Sequence, residues 1–282
     1  MRKIAANTWI WTDNFPAHHS AVINKISRIG FDGIEIPIPN THLNIAELKR
    51  DLGRHPKLVP IVLVGGTPSE DISSGILEIR KSGEKRIQRS IEICKTIGGT
   101  LIGGPMYVST GNPASHSRVE RSAMLRRSVE SMKRLADIAA QKKIRIAIEP
   151  ICRYDNSLLN TVQQTKTFVS KVGRANVGLL LDTFHLNIEE KSIRSAILDA
   201  GSSLFHFHAC ENDRGVLGTG HMNWDEIAVA LDEIEYDGWL SIESFNPKEV
   251  TLATRMKVWR SLARNQDELA RKGLEFLRRK LL

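Results

Sequence analysis

Hydrophobic positions along this chain follow two rhythms. Short apolar runs such as IRIAIEP, VGLLLDTFH, LFHFHACEN and WLSIESF alternate side to side or are apolar throughout, as strands do. The stretches between them return an apolar residue every third or fourth position, as amphipathic helices do. The pattern predicts strands over residues 3–9, 33–37, 58–64, 100–103, 144–149, 177–182, 204–209 and 239–243. Helices are expected over 17–29, 45–52, 84–97, 120–140, 162–172, 188–199 and 224–231, with one long helical segment closing the chain over about 252–281. Glycines such as Gly30, Gly98, Gly173 and Gly201 punctuate the helix-to-strand joints. Eight strands alternating with eight helices predict an α/β protein, a (β/α)8 TIM barrel forming a single domain over 1–282. An open doubly wound sheet would carry a glycine-rich phosphate loop after its first strand, and NTWIWTDNF has none.

Alternation also sorts the strand side chains by face. Ile144, Ile146 and Ile148 share one face of their strand, and Ala147 and Glu149 the other. In 204–209, Phe205 and Phe207 are expected to face the helices, with His206 and His208 pointing inward. In 239–243, Leu240 and Ile242 point out, Ser241 and Glu243 in. Glu149, Asp182, His208 and Glu243 close four successive strands at separations of 33, 26 and 35 residues, about one strand plus one crossover helix. All four are thus expected at the C-terminal mouth of the barrel, where sites of this fold sit.

Three carboxylates and one imidazole form a donor set for Mn²⁺ or Co²⁺, with Mg²⁺ possible; zinc suits so many oxygens less well. A lone inward carboxylate at a strand end is more often a loop anchor than a ligand. Four charged or polar groups at one mouth are costly without a cation, which favours the metal reading. Two open coordination positions would accept a ketose carbonyl and its neighbouring hydroxyl, stabilising the enediolate formed on loss of a C–H proton. Glu149 and Glu243, from opposite parts of the strand order, are candidates for the acid/base pair. Carboxylates on opposite faces imply inversion of a stereocentre; one base on a single face implies aldose–ketose isomerisation. His206 reads as a core histidine and His185 as a neighbour of the ligands, while Arg214 taken alone reads as a surface charge.

Charge adds one feature. Of a net +8, most lies in 255–280, where nine basic residues face three acidic ones. No aromatic residues are interleaved as stacking platforms, so nucleic acid is not expected as a partner. A solvated helix face that meets another subunit, in a homodimer or homotetramer, is the expectation. Trp259 and Phe276 are expected on the apolar side of that helix. Three widely spaced cysteines without a CxxC pair, no apolar run of membrane length and no signal-peptide pattern lead to a soluble cytoplasmic protein without disulfides.

The segments GFDGIEIP (30–37), IAIEPICRYD (146–155), VGLLLDTFHLNI (177–188), FHFHACENDRG (205–215), GTGHMNWDEI (218–227) and GWLSIESF (238–245) resemble the xylose-isomerase-like superfamily of sugar isomerases and epimerases, specifically its D-tagatose/D-psicose (allulose) 3-epimerase group. The resemblance implies a metal held by Glu149, Asp182, His208 and Glu243. It makes Glu149 and Glu243 the acid/base pair, and it implies inversion at C3 of a free ketohexose or ketopentose through a cis-enediolate. It also implies that His185 and Arg214 contact the sugar near O2, and that Asp155 meets its O1 end. Departures touch specificity. The family's usual Asn-Arg-Tyr-Glu string reads Cys152-Arg153-Tyr154-Asp155 here, one methylene shorter at its acid, and the 103–113 loop offers Tyr107 but no tryptophan. Glu35 resembles a glutamate near the pocket in relatives; a plain hydrogen-bond anchor is the other reading.

Two rival activities remain on the sequence. An isomerase or dehydratase acting on a related keto-sugar or a hydroxypyruvate-like substrate would use the same mouth. The more remote one, an AP-endonuclease-like phosphodiesterase, would need extra histidines after strands 3 and 4, where the chain reads LVGG and IGGP. The Gly215–Gly220 loop follows strand 7, a common phosphate position, and is read first as turn chemistry.

Overall fold

A computed structural model describes residues 2–38, 43–111 and 113–282. The strands are β1 Lys3–Asn7, β2 Gly33–Pro37, β3 Val59–Leu63, β4 Leu101–Gly104, β5 Arg145–Ile148, β6 Val177–Asp182, β7 Leu204–Ala209 and β8 Trp239–Ile242. Among the described residues the helices are α1 Phe15–Ile29, α2 Ile45–Gly53, α3 Leu77–Thr96, α4 Arg118–Gln141, α5 Val162–Val172, α6 Thr183–Glu189, α7 Ile193–Ala200, α8 Trp224–Glu233, α9 Val250–Met256 and α10 Gln266–Leu281. Each strand pairs in parallel with the next, and β8 closes on β1, giving the eight-stranded barrel that the alternation predicts.

Two apolar layers hold it. Ala5, Ile61, Leu63, Leu101, Ala147 and Leu180 fill the barrel interior. Ile146, Ile148, Leu179, Leu181, Leu240 and Ile242 belong to the larger core that includes the helices. Parallel strands are covered on both faces, so the floor is packed and polar groups collect at one end. None of the described helices is long and apolar enough to cross a membrane. Cys94, Cys152 and Cys210 are free and buried.

Three expectations are corrected. Phe207 lies in the helix-side core, but Phe205 does not join it. The β6–β7 register shifts between Leu179 and Leu180, pairing Leu179 with Leu204 and Leu180 with His206. The extra residue turns Phe205 into the barrel floor, where its ring lies against Gly178 and under the Arg145 guanidinium. A Cβ at position 178 would sit 2.5 Å from that ring, so glycine is required there.

The 188–199 helix is two helices. Asp182 caps α6 by accepting from Phe184 N at 2.8 Å, and Ser192 caps α7 by accepting from Ser195 N at 3.1 Å.

The closing segment is also divided: Lys257, at φ 58°, ends α9, and Asn265 caps α10 by accepting from Glu268 N at 2.8 Å. Phe276 packs edge-on to Trp224, but Trp259 falls in the break and is 73% exposed rather than on an apolar helix face. Several of the segment's cations are paired, as Lys272 with Glu268 and Arg260 with Asp213.

Candidate active site

Six strands send a polar side chain to the open end of the barrel. Asn7 ends β1, Glu35 stands within β2, Glu149 follows β5, Asp182 ends β6, His208 lies in β7 and Glu243 follows β8. The period of two aims each inward, because the residue before each of them packs outward into the helix-side core. The structure brings Glu149, Asp182, His208 and Glu243 together. His208 Nδ1 lies 3.7 Å from Glu149 Oε1, 3.9 Å from Asp182 Oδ2 and 3.7 Å from Glu243 Oε2. Asp182 and His208 are completely buried, whereas Glu149 and Glu243 keep 4% and 5% exposure; these two carboxylates therefore border the opening.

Arg214 reaches into the same cluster. Its Nη1 donates to Asp182 Oδ2 at 2.6 Å and to Glu243 Oε2 at 2.9 Å. The guanidinium lies over the Phe184 ring at 4.2 Å and near the Phe245 ring at 5.2 Å, which fixes its plane. The backbone brings it there from a loop position at φ 66°, its carbonyl held by Ser244 Oγ at 2.6 Å. Glu211, absent from the candidates read from sequence, tethers that loop: its fully buried carboxylate accepts from Gly218 N at 2.8 Å and Trp224 Nε1 at 3.1 Å. A Cβ on Gly220 would come within 2.5 Å of Glu211, so the glycines serve this turn.

His185 and Asp155 stand at the rim beside the cluster. His185 Nδ1 accepts from Cys152 N at 3.1 Å, which leaves the hydrogen on Nε2. Burial pushes its imidazole down to about 4, so it is neutral near pH 7. Asp155 Oδ2 lies 3.4 Å from Cys152 Sγ, and Oδ1 accepts from Lys257 Nζ at 3.3 Å. Tyr107 is not at the mouth. It is buried, donates to Leu159 O at 2.9 Å and packs against Phe168.

The electrostatics favour positive charge between the carboxylates. Burial and the neighbouring carboxylates Glu243 and Asp182 raise Glu149 well above the ordinary carboxyl range. Burial raises Glu243 to about 7, with His208 and Arg214 opposing. Burial also opposes ionisation of Asp182, yet Arg214 holds it well below its usual value. For His208, burial disfavours the charged ring, but Glu35 and Glu243 outweigh it and raise the imidazole well above its usual value. The cage thus attracts a proton or a metal ion to the same point.

The donor set fits a divalent ion. Among the described residues, His208 Nδ1 is a buried nitrogen without a hydrogen-bond partner, and its near neighbours of opposite charge are the three carboxylates. Donors about 2.1–2.4 Å from one ion lie roughly 3–4 Å apart, the spacing found around Nδ1. Donor atoms of Glu149, Asp182 and His208 all lie within 4.8 Å of one another, as do those of Asp182, Cys210 and Glu243.

A closed parallel barrel carrying three carboxylates, an imidazole and a guanidinium at its C-terminal mouth defines a TIM-barrel protein with a polar site whose donors suit a divalent metal. The chain belongs to the xylose isomerase-like TIM barrel family, which it matches over residues 23–280. It is 33% identical to an L-ribulose 3-epimerase of a Methylomonas species over 96% of this chain and 95% of that one. Its identity to a D-psicose 3-epimerase of Agrobacterium fabrum is 34%, over 95% of both chains. Superposition on the crystal structure of a Methylomonas D-allulose 3-epimerase in complex with D-allulose gives a TM-score of 0.93 at 31% identity, over 99% of this chain and 97% of that one.

Proposed function

We propose that this chain is a divalent-metal-dependent ketose 3-epimerase acting on a free ketohexose or ketopentose. The observation that carries the proposal is the pair of slightly exposed carboxylates, Glu149 after β5 and Glu243 after β8, each 3.7 Å from the bare Nδ1 of His208. Similarity to L-ribulose and D-psicose 3-epimerases over nearly the whole chain supports the same reading. Glu149, Asp182, His208 and Glu243 would hold Mn²⁺ or Co²⁺. When bound, the ion supplies Lewis-acid polarisation of the ketose carbonyl and the hydroxyl beside it.

The protein's own groups do the rest. One glutamate takes the proton from C3, leaving a cis-enediolate. The other delivers a proton to the opposite face, and the stereocentre inverts. Burial raises both carboxyls, and Glu243, raised to about 7, exists with or without its proton near neutrality. His185 offers its Nε2–H, and Arg214 its guanidinium, to the oxygens near O2; Asp155 accepts from the O1 end.

Incubating the Mn²⁺-loaded enzyme with D-fructose, D-allulose, D-tagatose or L-ribulose in D₂O tests this. Deuterium at C3 with inversion is expected. Label at C1 with an aldose product would make the chain an aldose–ketose isomerase instead, and absence of exchange with every ketose would remove the substrate class.

A further inference from the structure

Beneath the four proposed ligands lies a carboxylate that neither the acid/base chemistry nor the metal set uses. Glu35 is completely buried in β2. Its Oε1 accepts from His208 Nε2 at 3.0 Å and from His206 Nε2 at 2.7 Å. Its Oε2 accepts from Asn7 Nδ2 at 2.9 Å, and the same Nδ2 donates to Glu243 Oε1 at 3.2 Å. Asn7 Oδ1 accepts from Trp9 N at 2.9 Å, so the amide cannot be turned over without losing three bonds.

These contacts settle where hydrogens sit. A carboxylate has no hydrogen to give, so both imidazoles must donate to Glu35 from Nε2. His208 then presents Nδ1 to Glu149, Asp182 and Glu243. Glu35, His206 and His208 lie close enough to suggest a second metal site. The lengths of 2.7 and 3.0 Å are those of hydrogen bonds. An ion there would also require His208 to surrender both ring hydrogens.

We propose that Glu35 is the positioning residue of this site. One oxygen fixes the ring nitrogen that His208 turns to the metal, and the other, through Asn7, aims Glu243. The inference rests on the metal reading above. A ligating histidine whose far nitrogen donates to a carboxylate is held in one orientation and made more basic. The Asn7 link adds that the same carboxylate sets the position of a proposed acid/base glutamate on the other side of the ion.

Glu35→Gln keeps the shape but places an amide N–H against either Asn7 or the two imidazoles, a donor facing a donor in both orientations. Mn²⁺ binding by calorimetry, without substrate, is expected to weaken about 10–100-fold. kcat is expected to fall, with KM for the ketose little changed. In ¹⁵N-histidine spectra of the Mg²⁺-loaded wild-type protein, His208 should carry its hydrogen on Nε2, downfield and protected from exchange, and that resonance should be lost or shifted in Glu35→Gln. Wild-type Mn²⁺ affinity in a folded Glu35→Gln protein would overturn the proposal. Should that variant not fold, the wild-type spectrum decides: a hydrogen on His208 Nδ1 with Nε2 bare also overturns it. Wild-type protein that binds no Mn²⁺ removes the metal reading, and this inference with it, and is recognised before any variant is made.

Discussion

Asp155 and Lys257, 102 residues apart in sequence, meet at 3.3 Å at the rim of the barrel mouth. Lys257 reaches there because α9, seated by Leu252 and Val258 against Phe245, ends in a left-handed residue that throws its side chain back over the site. The pair is partly exposed, so it contributes at most about 1 kcal/mol to stability. Its expected effect is on the sugar. Asp155→Asn should raise KM several-fold, about 10-fold at most, with kcat within a factor of about three. Lys257→Met should act in the same direction and more weakly. An equal fall in kcat and kcat/KM for Asp155→Asn would place that residue in the chemical step instead.

Glu243→Gln and Glu149→Gln should each lower kcat by about 10²–10⁴-fold, the range for loss of a positioned acid or base. The two variants are separable. Glu243 also accepts from Asn7 and Arg214, whereas among the described residues Glu149 accepts no hydrogen bond from either. Mn²⁺ affinity should therefore fall further in Glu149→Gln, where Arg214 and Asn7 do not hold the remaining amide in place. Tracking C3 exchange from D-fructose and from D-allulose in each variant reports which glutamate serves which face; unchanged exchange in both would remove the paired-glutamate mechanism.

How much of this could be read from the chain depends on whether a residue's position is set by periodicity. Glu149, Asp182, His208 and Glu243 sit at strand ends, where a period of two fixes direction, and the barrel follows from eight repeats of one unit. Asn7 carries the same signal, an inward polar residue closing KIAAN, and is absent from the candidates read from sequence. Arg214 has no such mark: it lies in a loop, and its course depends on the tether of Glu211, a contact without periodicity. Phe205 misled because a bulge at that residue interrupts the alternation, which resumes as expected at Phe207 and His208. The break in the closing helix did have a sign, since Asn265 followed by Asp267 and Glu268 is a helix start.

The cysteines give a prediction independent of any activity. Burial pushes Cys94 and Cys152 up to about 12 and Cys210 well above its usual range. Thiolate is scarce at pH 8 for all three, and none is exposed. A chromogenic disulfide reagent should react slowly with the native protein and titrate three thiols after unfolding. Rapid stoichiometric labelling of Cys152, the one nearest the rim, would contradict the burial described.

Metal binding should become stronger as pH rises, and the sign follows from the site. His208 and Glu149 are held well above their usual values and Glu243 at about 7. A proton on any of them occupies a lone pair that the ion needs, so binding releases protons and weakens toward acid pH. Folding shows the same linkage. A carboxyl raised from about 4.3 to about 7 binds its proton more tightly in the folded state, so its contribution to stability declines as pH rises through that window. An imidazole raised above about 6.5 adds a further loss over its own window. The cation relieves both. Mn²⁺ at about 100 times its Kd stabilises by roughly 2.7 kcal/mol, a Tm increase of several degrees. Because affinity itself rises with pH, the Tm gain at fixed Mn²⁺ should be larger at about pH 8 than at about pH 6, and calorimetry in buffers of different ionisation enthalpy should register proton release. EDTA should abolish both the gain and C3 exchange, with Mn²⁺ or Co²⁺ restoring them. A Tm gain that shrinks as pH rises would mean that the ion binds somewhere other than between these four side chains.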